Sequence, residues 1–323
     1  MKTIVKYFSI AALFFLLISL KKESTPVQKF GKLRVDGINL VGSKNQPVVL
    51  HGMSFGWHNL WPRFYNEGTV NELVKKWNCS VIRASMGIEL NNDGYLHNPE
   101  SSVQLIKTVV NACIKKGVYV LIDWHDHNIH EQQAIEFFGM MAKEYHQYPN
   151  VIYEIYNEPN DTKTWQQVKS YAENVIKEIR KYDVDNIILV GSPHWDQDID
   201  LPANAPIEGY KNIMYTMHFY AGTHKQWLRD RTDAAMKKGL PVFISECAAT
   251  EASGDGMIDE TEWNKYMQWC NEHHLSWIGW SVSDKAESCS VLKPSASSTG
   301  KWKEEDIKPW GKLVREYLHK KDK

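Results

Sequence analysis

The chain has 323 residues, with 38 Lys and Arg against 39 Asp and Glu, for a formal net charge of −1. That balance argues against a nucleic-acid or anionic-membrane surface as the main partner, since both call for a cationic face. The length suits one α/β barrel of about 250 residues with extras, and 13 Trp beside 15 Tyr suit a protein that stacks sugar rings on aromatic faces.

Lys2 and Lys6 are followed by the uncharged, apolar run Tyr7 to Leu20, and then by the polar Lys21-Lys22-Glu23-Ser24-Thr25-Pro26. The run has the length of a signal peptide and is short for a membrane span. Residues 1–25 are therefore expected to be a signal peptide or an N-terminal membrane tether. Export, to the medium, the periplasm or the cell surface, follows from either. The five cysteines, Cys79, Cys113, Cys247, Cys270 and Cys289, match no metal motif and are expected to be buried thiols.

Leu33 to Leu40 and Gln46 to Leu50 read as a short N-terminal β-hairpin leading into a strand that ends at His51-Gly52-Met53-Ser54. A repeating pattern follows. Helix Thr69–Trp77 precedes strand Ser80–Ala84. Helix Ser101–Lys116, with Gly117 as its cap, precedes Val118–His125. Helix His130–Tyr148 precedes Val151–Tyr156, and helix Trp165–Lys181 precedes Asn186–Val190. A loop with Trp195 leads to Ile213–Tyr220, helix Thr223–Lys238 to Pro241–Glu246, and helix Glu260–Asn271 to Ser276–Trp280. Helix Glu304–His319 closes the chain. Eight strands alternating with helices predict a parallel sheet and a (β/α)8 TIM barrel over residues 26–323, a single catalytic domain. A doubly wound open sheet is the alternative, weakened because no Gly-x-Gly-x-x-Gly follows a strand.

Polar groups collect at the strand ends. Arg83 ends the second strand and His125 the third. Asn157 and Glu158 end the fourth, His218 and Tyr220 the sixth, Glu246 the seventh and Trp280 the eighth. In a barrel these ends meet at one face, where active sites form. Two carboxylates facing each other across that mouth are the machinery of glycosidic bond hydrolysis, provided their surroundings drive their pKa values apart. Arg83 would keep a neighbouring carboxylate ionised, and Tyr220 could donate to the same group. Asp123-Trp124-His125-Asp126-His127 is His-rich, but His125 and His127 are expected to diverge. No metal site and no cofactor are expected.

Several stretches carry a resemblance: Ile152-Tyr153-Glu154-Ile155-Tyr156-Asn157-Glu158-Pro159-Asn160, Leu121-Ile122-Asp123-Trp124-His125, His218-Phe219-Tyr220-Ala221-Gly222-Thr223-His224 and Ile244-Ser245-Glu246. In order and spacing the chain resembles glycoside hydrolase family 5 of the clan A barrels, and within it the bacterial endo-β-1,4-glucanases, or cellulases. The resemblance implies Glu158 as acid/base and Glu246 as nucleophile, held by Arg83 and Tyr220. It implies that His125 and Asn157 contact the sugar beside the scissile bond, that Trp280 lies under that sugar, and that His218 lies near the acid/base. Trp195, Lys285 and Glu287 match cleft-lining positions. The implied mechanism is retaining double displacement, with carboxyl groups about 5–5.5 Å apart.

The chain departs from the family after the first strand. Many relatives have Ser-His-Gly-Leu-Gln-Trp, where this chain has Ser54-Phe55-Gly56-Trp57-His58-Asn59-Leu60-Trp61. A cleft histidine is thereby lost or moved to His58, and Trp61 is left as a stacking platform. Cys247 stands where relatives often have Trp. The expected activity is hydrolysis of internal β-1,4-glucosidic bonds in cellulose-like or mixed-linkage glucans by a monomer. The same chemistry on β-mannan or xyloglucan, a non-catalytic glycan-binding protein and a metal-dependent barrel hydrolase are the alternatives. With no binding module read after the last helix, soluble β-glucan is expected to be preferred over crystalline cellulose.

Overall fold

The computed structural model describes residues 24–89 and 93–320. The apolar run Tyr7 to Leu20 lies outside them, and no helix among the described residues is long and apolar enough to cross a membrane.

Eight parallel strands close into a barrel. They are β3 (His51–Phe55), β4 (Val81–Gly87), β5 (Tyr119–His125), β6 (Val151–Glu154), β7 (Ile188–Val190), β8 (Ile213–Tyr220), β9 (Val242–Ala248) and β10 (Trp277–Val282). Each pairs with the next, and β10 returns to β3. The open-sheet alternative is thereby excluded. The strands are apolar on both faces because one face packs on the barrel interior and the other on the surrounding helices.

The helices bury one stripe each. Along α3 (Pro99–Lys116) the buried positions include Ile106, Val109, Val110 and Cys113, at helical spacing. Gly117 ends α3 in the left-handed region (φ 71°), as its cap position predicts, and its N–H reaches the carbonyls of Cys113 and Ile114. The remaining large helices are α2 (Glu67–Lys76), α4 (Glu131–Tyr145), α5 (Trp165–Ile179), α8 (Gln226–Lys237), α9 (Glu260–Glu272) and α10 (Pro309–His319). α10 starts later than expected, because Pro309 fits the first helical position and Glu304–Asp306 form a separate 3-10 turn. The loop after β7 contains two short helical pieces, α6 (Pro193–Asp196) and α7 (Asp200–Asn204), that the sequence does not announce.

The N-terminal hairpin is real but tighter than expected. β1 (Arg34–Asp36) pairs antiparallel with β2 (Asn39–Val41) around Gly37, whose φ of 60° suits a glycine. Gln46–Leu50 is not its second arm; Val48 N–H reaches Leu40 O, and a single bridge joins Val41 to Pro47. Leu33, Leu40, Val48 and Leu50 pack with Val81, Tyr119, Leu121, Ile152, Leu189, Met214, Phe243 and Ile278, so this segment plugs the N-terminal end of the barrel.

All five cysteines are buried and unpaired. Nine of the thirteen tryptophans are buried as well, so most of the Trp excess is core volume rather than sugar-binding surface.

Candidate active site

Along β4, β5, β6, β8 and β9 the inward side chains change from apolar to polar at two-residue steps. Val81 is followed by Arg83, Leu121 by Asp123, Ile152 by Glu154, Met214 by Thr216 and Phe243 by Ser245. Arg83, Asp123, Glu154, Thr216 and Ser245 are all fully buried, so each needs a partner.

Arg83 is the hub of this layer. Its Nε donates to Glu154 Oε2 at 2.6 Å, its Nη1 to Glu246 Oε2 at 2.8 Å and its Nη2 to Asn157 Oδ1 at 2.5 Å. Nη2 also lies 3.1 Å from Asp123 Oδ2. Burial works against the guanidinium charge, but Asp123, Glu154 and Glu246 together hold it well above its ordinary pKa. The other oxygen of Glu246 accepts from the Tyr220 hydroxyl at 2.6 Å. Burial, and then the Glu246 charge, push Tyr220 well up, so it remains a phenol that can donate.

Glu158 has a different setting. His218 Nδ1 lies 2.9 Å from Glu158 Oε1, and His218 Nε2 lies 2.8 Å from Ser245 Oγ and 3.3 Å from Asp196 Oδ2. Burial would lower His218, but Asp196, Glu154 and Glu158 overcome it and hold the imidazole well above its usual value. The imidazolium therefore donates to Glu158. Burial on its own would raise Glu158; the hydrogen bond and charge of His218, helped by His127 and His125, bring it down to about 2. The pair thus shares one proton, which rests on the histidine.

A parallel register with a shift between Thr216 and His218 sets His218 opposite Glu246 across β8 and β9. One carboxylate oxygen each of Glu158 and Glu246 and one ring nitrogen of His218 lie within 4.8 Å of one another. Two carboxylates and an imidazole at that spacing resemble a metal-ligand set. A protonated imidazole with its nitrogens committed to Glu158 and Ser245 has no lone pair to give, so the residues do not fit a metal here.

His125 is held neutral, at about 3, by burial and then by Arg83. Its Nδ1 lies 2.7 Å from Asp123 Oδ2, which fixes the ring with Nε2 facing the mouth. Trp280 stacks on it at 5.1 Å and 16°. His125 and His127 do not diverge as expected. They are two residues apart on one face, with ring centroids separated by 6.3 Å. They still share no centre, since His127 Nδ1 turns to Glu158 O at 3.2 Å and lies 3.7 Å from its Oε2.

The loop after β7 is strained. His194, Trp195 and Asp196 have φ of 60°, 53° and 61°, a left-handed run without glycine. Its anchors are Trp195 N–H to Pro159 O at 2.9 Å, Ser192 N–H to Asp196 Oδ1 at 2.7 Å and Thr216 Oγ1 to Asp196 Oδ2 at 2.6 Å. The run seats Asp196 beneath His218 and Trp195 on the cleft wall. Strain held in place by surrounding structure is common at functional sites.

Arg83, His125, Asn157, Glu158, His218, Tyr220, Glu246 and Trp280 thus come together at the mouth. Lys285 and Glu287 sit on the loop after β10, paired with each other at 2.5 Å, with Lys285 more than half exposed and Glu287 nearly covered. Trp61 is half-buried, with its ring against Gly56. His58 does not enter the cleft: it is 1% exposed, its Nδ1 accepts from Gly87 N–H at 3.0 Å, and its Nε2 meets Ser102 Oγ at 2.7 Å. Its neighbour Trp57 occupies that place instead, 4.5 Å from the His125 ring. The sequence reading missed Asp123, Glu154, Ser245, Asp196 and Trp57.

Residues 41–286 match the family described as cellulase (glycosyl hydrolase family 5). The chain belongs to that family. It is accordingly a glycoside hydrolase.

The chain is 40% identical over 306 residues to an endoglucanase of Clostridium saccharobutylicum, covering 92% of this chain and 67% of that protein. It is 40% identical over 302 residues to endoglucanase 5 of Pectobacterium carotovorum subsp. carotovorum, covering 92% of this chain and 59% of the relative. The chain thus spans only about three-fifths to two-thirds of these relatives. Among solved structures, the catalytic domain of Thermobifida fusca endoglucanase Cel5A, as a variant in complex with cellotetraose, superposes with a TM-score of 0.87 at 31% identity, over 92% of this chain and 100% of that one. A structure from Cytophaga hutchinsonii does so with a TM-score of 0.90 at 43% identity, over 91% and 96%.

Proposed function

We propose that this family 5 chain is a retaining endo-β-1,4-glucanase acting on cellulose-like and mixed-linkage β-glucans, with Glu246 as nucleophile and Glu158 as acid/base. One observation carries the reading. The approach of the two carboxylates to within 4.8 Å fits the retaining separation of about 5–5.5 Å and leaves no room for the water an inverting enzyme places between them.

Glu246 attacks the anomeric carbon, and the glycosidic C–O bond breaks as the leaving oxygen takes a proton from Glu158. That proton reaches Glu158 from His218 along the 2.9 Å hydrogen bond. Arg83 and Tyr220 keep one lone pair on each Glu246 oxygen occupied and aim the rest of the carboxylate at the sugar. Glu158 then takes a proton from water, whose oxygen displaces Glu246 and restores both groups. Asn157 Nδ2 has no protein partner and is the donor for the 2-hydroxyl of the sugar undergoing attack. His125 Nε2 accepts from a neighbouring hydroxyl, over the Trp280 ring. Lys285, Glu287 and Trp61 line the outer cleft on that side, and Trp195 lies beside Glu158.

Residues 26–323 act as one catalytic unit, a monomer, and the apolar N-terminus directs export as a signal peptide or membrane tether. Both statements rest on the sequence. Mass spectrometry of the exported protein's N-terminus distinguishes cleavage from retention.

The test is reducing-sugar release from carboxymethylcellulose, barley β-glucan, xyloglucan and mannan, with proton NMR of the first anomer formed. β-Anomer from the two β-glucans supports the reading. α-Anomer overturns the mechanism, and activity confined to mannan or xyloglucan overturns the substrate class.

A further inference from the structure

Four tryptophans are not buried, and all four stand on loops or first helical turns at the catalytic mouth. Trp57 and Trp61 follow β3, Trp195 follows β7 and Trp227 follows β8. Trp227 is 45% exposed, the highest value for any tryptophan here. A ring that large left in water has a cost that its surroundings must justify.

Its place is fixed. Trp227 sits in the first turn of α8 and meets the edge of His224 at 5.9 Å and 84°. His224 is 4% exposed, and its Nδ1 accepts from the Tyr220 N–H at 2.8 Å, so the histidine that meets the Trp227 ring is itself fixed by the backbone of the residue that holds Glu246. Burial keeps His224 neutral, at about 4, as an acceptor must be.

Trp227 and Trp195 line one cleft of about 600 Å³, which runs to Glu158 and His218 but is not lined by Glu246, His125 or Trp280. Glu158 delivers its proton to the departing oxygen. The space that opens from Glu158 and away from Glu246 therefore receives the departing part of the glucan.

Building on the proposed glucanase activity, we propose that Trp227 is a stacking platform for a β-glucosyl unit on the leaving-group side, beyond the position beside Glu158. The chemistry it recognises is the apolar C–H face of a β-linked glucose ring, which packs on an indole face without a charge partner. Two consequences follow. A substrate long enough to reach Trp227 gains binding that a short leaving group does not. A cellobiosyl acceptor whose far ring rests there also competes with water for the glycosyl-enzyme: a hydroxyl oxygen of its near ring, beside Glu158, forms the new C–O bond at the anomeric carbon, the Glu246 ester bond breaks, and the hydroxyl proton passes to Glu158.

The experiment compares wild type, Trp227→Ala and Trp227→Phe on cellohexaose and on p-nitrophenyl cellobioside, whose aryl group fills only the position beside Glu158. In a second arm, transfer to added cellobiose is measured against hydrolysis. Trp227→Ala is expected to lower kcat/KM on cellohexaose about five- to tenfold, mostly through KM, to change the aryl cellobioside rate less than twofold, and to lower the transfer-to-hydrolysis ratio. Trp227→Phe recovers part of both losses. Equal losses on the two substrates would assign Trp227 a structural role and overturn the proposal, as would no loss on cellohexaose. A wild type inert on both substrates would instead overturn the glucanase reading itself.

Discussion

The two ends of the barrel interior are built on the same strands and buried to the same depth, yet they are held together differently. At the lower end Val81, Leu121, Ile152, Met214 and Phe243 contribute apolar area, which is non-directional and tolerant of exchange. Two residues further along each strand, Arg83, Asp123, Glu154, Thr216 and Ser245 contribute groups that are stable only while each keeps its partners. The lower end supplies stability that the upper end does not. In return the upper end holds the two carboxylates proposed as nucleophile and acid/base within 4.8 Å of each other.

The largest expected effect breaks the upper end at its reacting atoms. Glu246→Ala should lower kcat/KM on β-glucan by at least about a thousandfold with the fold intact, because no other carboxylate can form the glycosyl-enzyme. Far-UV circular dichroism and reducing-sugar assays check both halves. Glu158→Ala should cost about a hundred- to ten-thousandfold on β-glucan, and much less on aryl cellobiosides, whose leaving group needs no proton.

Next comes the hub. Arg83→Met removes the cation that joins Glu154, Asp123 and Glu246, and urea unfolding should show a loss of about 3–5 kcal/mol. Activity should vanish as well, because Glu246 loses one of its two anchors.

What the sequence revealed follows the same division. The strands were legible as apolar runs, and the outermost polar residues were legible because they end those runs. Of the intermediate layer only Arg83 was legible, and it lies inside β4, which runs on to Gly87, rather than at the strand's end. Glu154 lies inside Val151–Tyr156, a run read as a buried strand, and a carboxylate in an otherwise apolar stretch was the signal that could have revealed it. Asp123 sits in the stretch Leu121–His125, where nothing in the sequence names a task for it. Its task, orienting His125 and sharing Arg83, depends on contacts across strands. Asp196 was out of reach, since three successive left-handed residues without glycine leave no mark in composition. Beside β3 the sequence named the wrong neighbour: Trp57 and His58 are adjacent, and only the backbone path decides which of them faces the cleft.

A smaller effect tests the shared proton. His218 is held above its ordinary pKa of about 6.5, so the protonated pair is complete below that pH and is lost as pH rises through the raised value. In His218→Asn the proton resides on Glu158 alone. Burial still raises that carboxyl, but a carboxylic acid releases its proton at lower pH than the raised histidine does. The alkaline limb of the kcat/KM profile should therefore move toward acid, with a loss of about tenfold or more at pH 8. An unmoved limb would mean that the proton comes from elsewhere.

The smallest effect belongs to the lower end, and it sharpens the contrast with Arg83→Met. Leu121→Met keeps volume and apolarity one step below Asp123 on the same strand, so unfolding should change by less than about 1.5 kcal/mol. Leu121→Ala should cost about 2–5 kcal/mol through the cavity it leaves. Neither should change the pH profile or alter kcat/KM more than about twofold, because the interactions that aim Glu246 and Glu158 start at Asp123 and above. If Leu121→Met shifted the alkaline limb as His218→Asn does, the two ends would be mechanically coupled through β5, and the division between an end that stabilises and an end that reacts would fail.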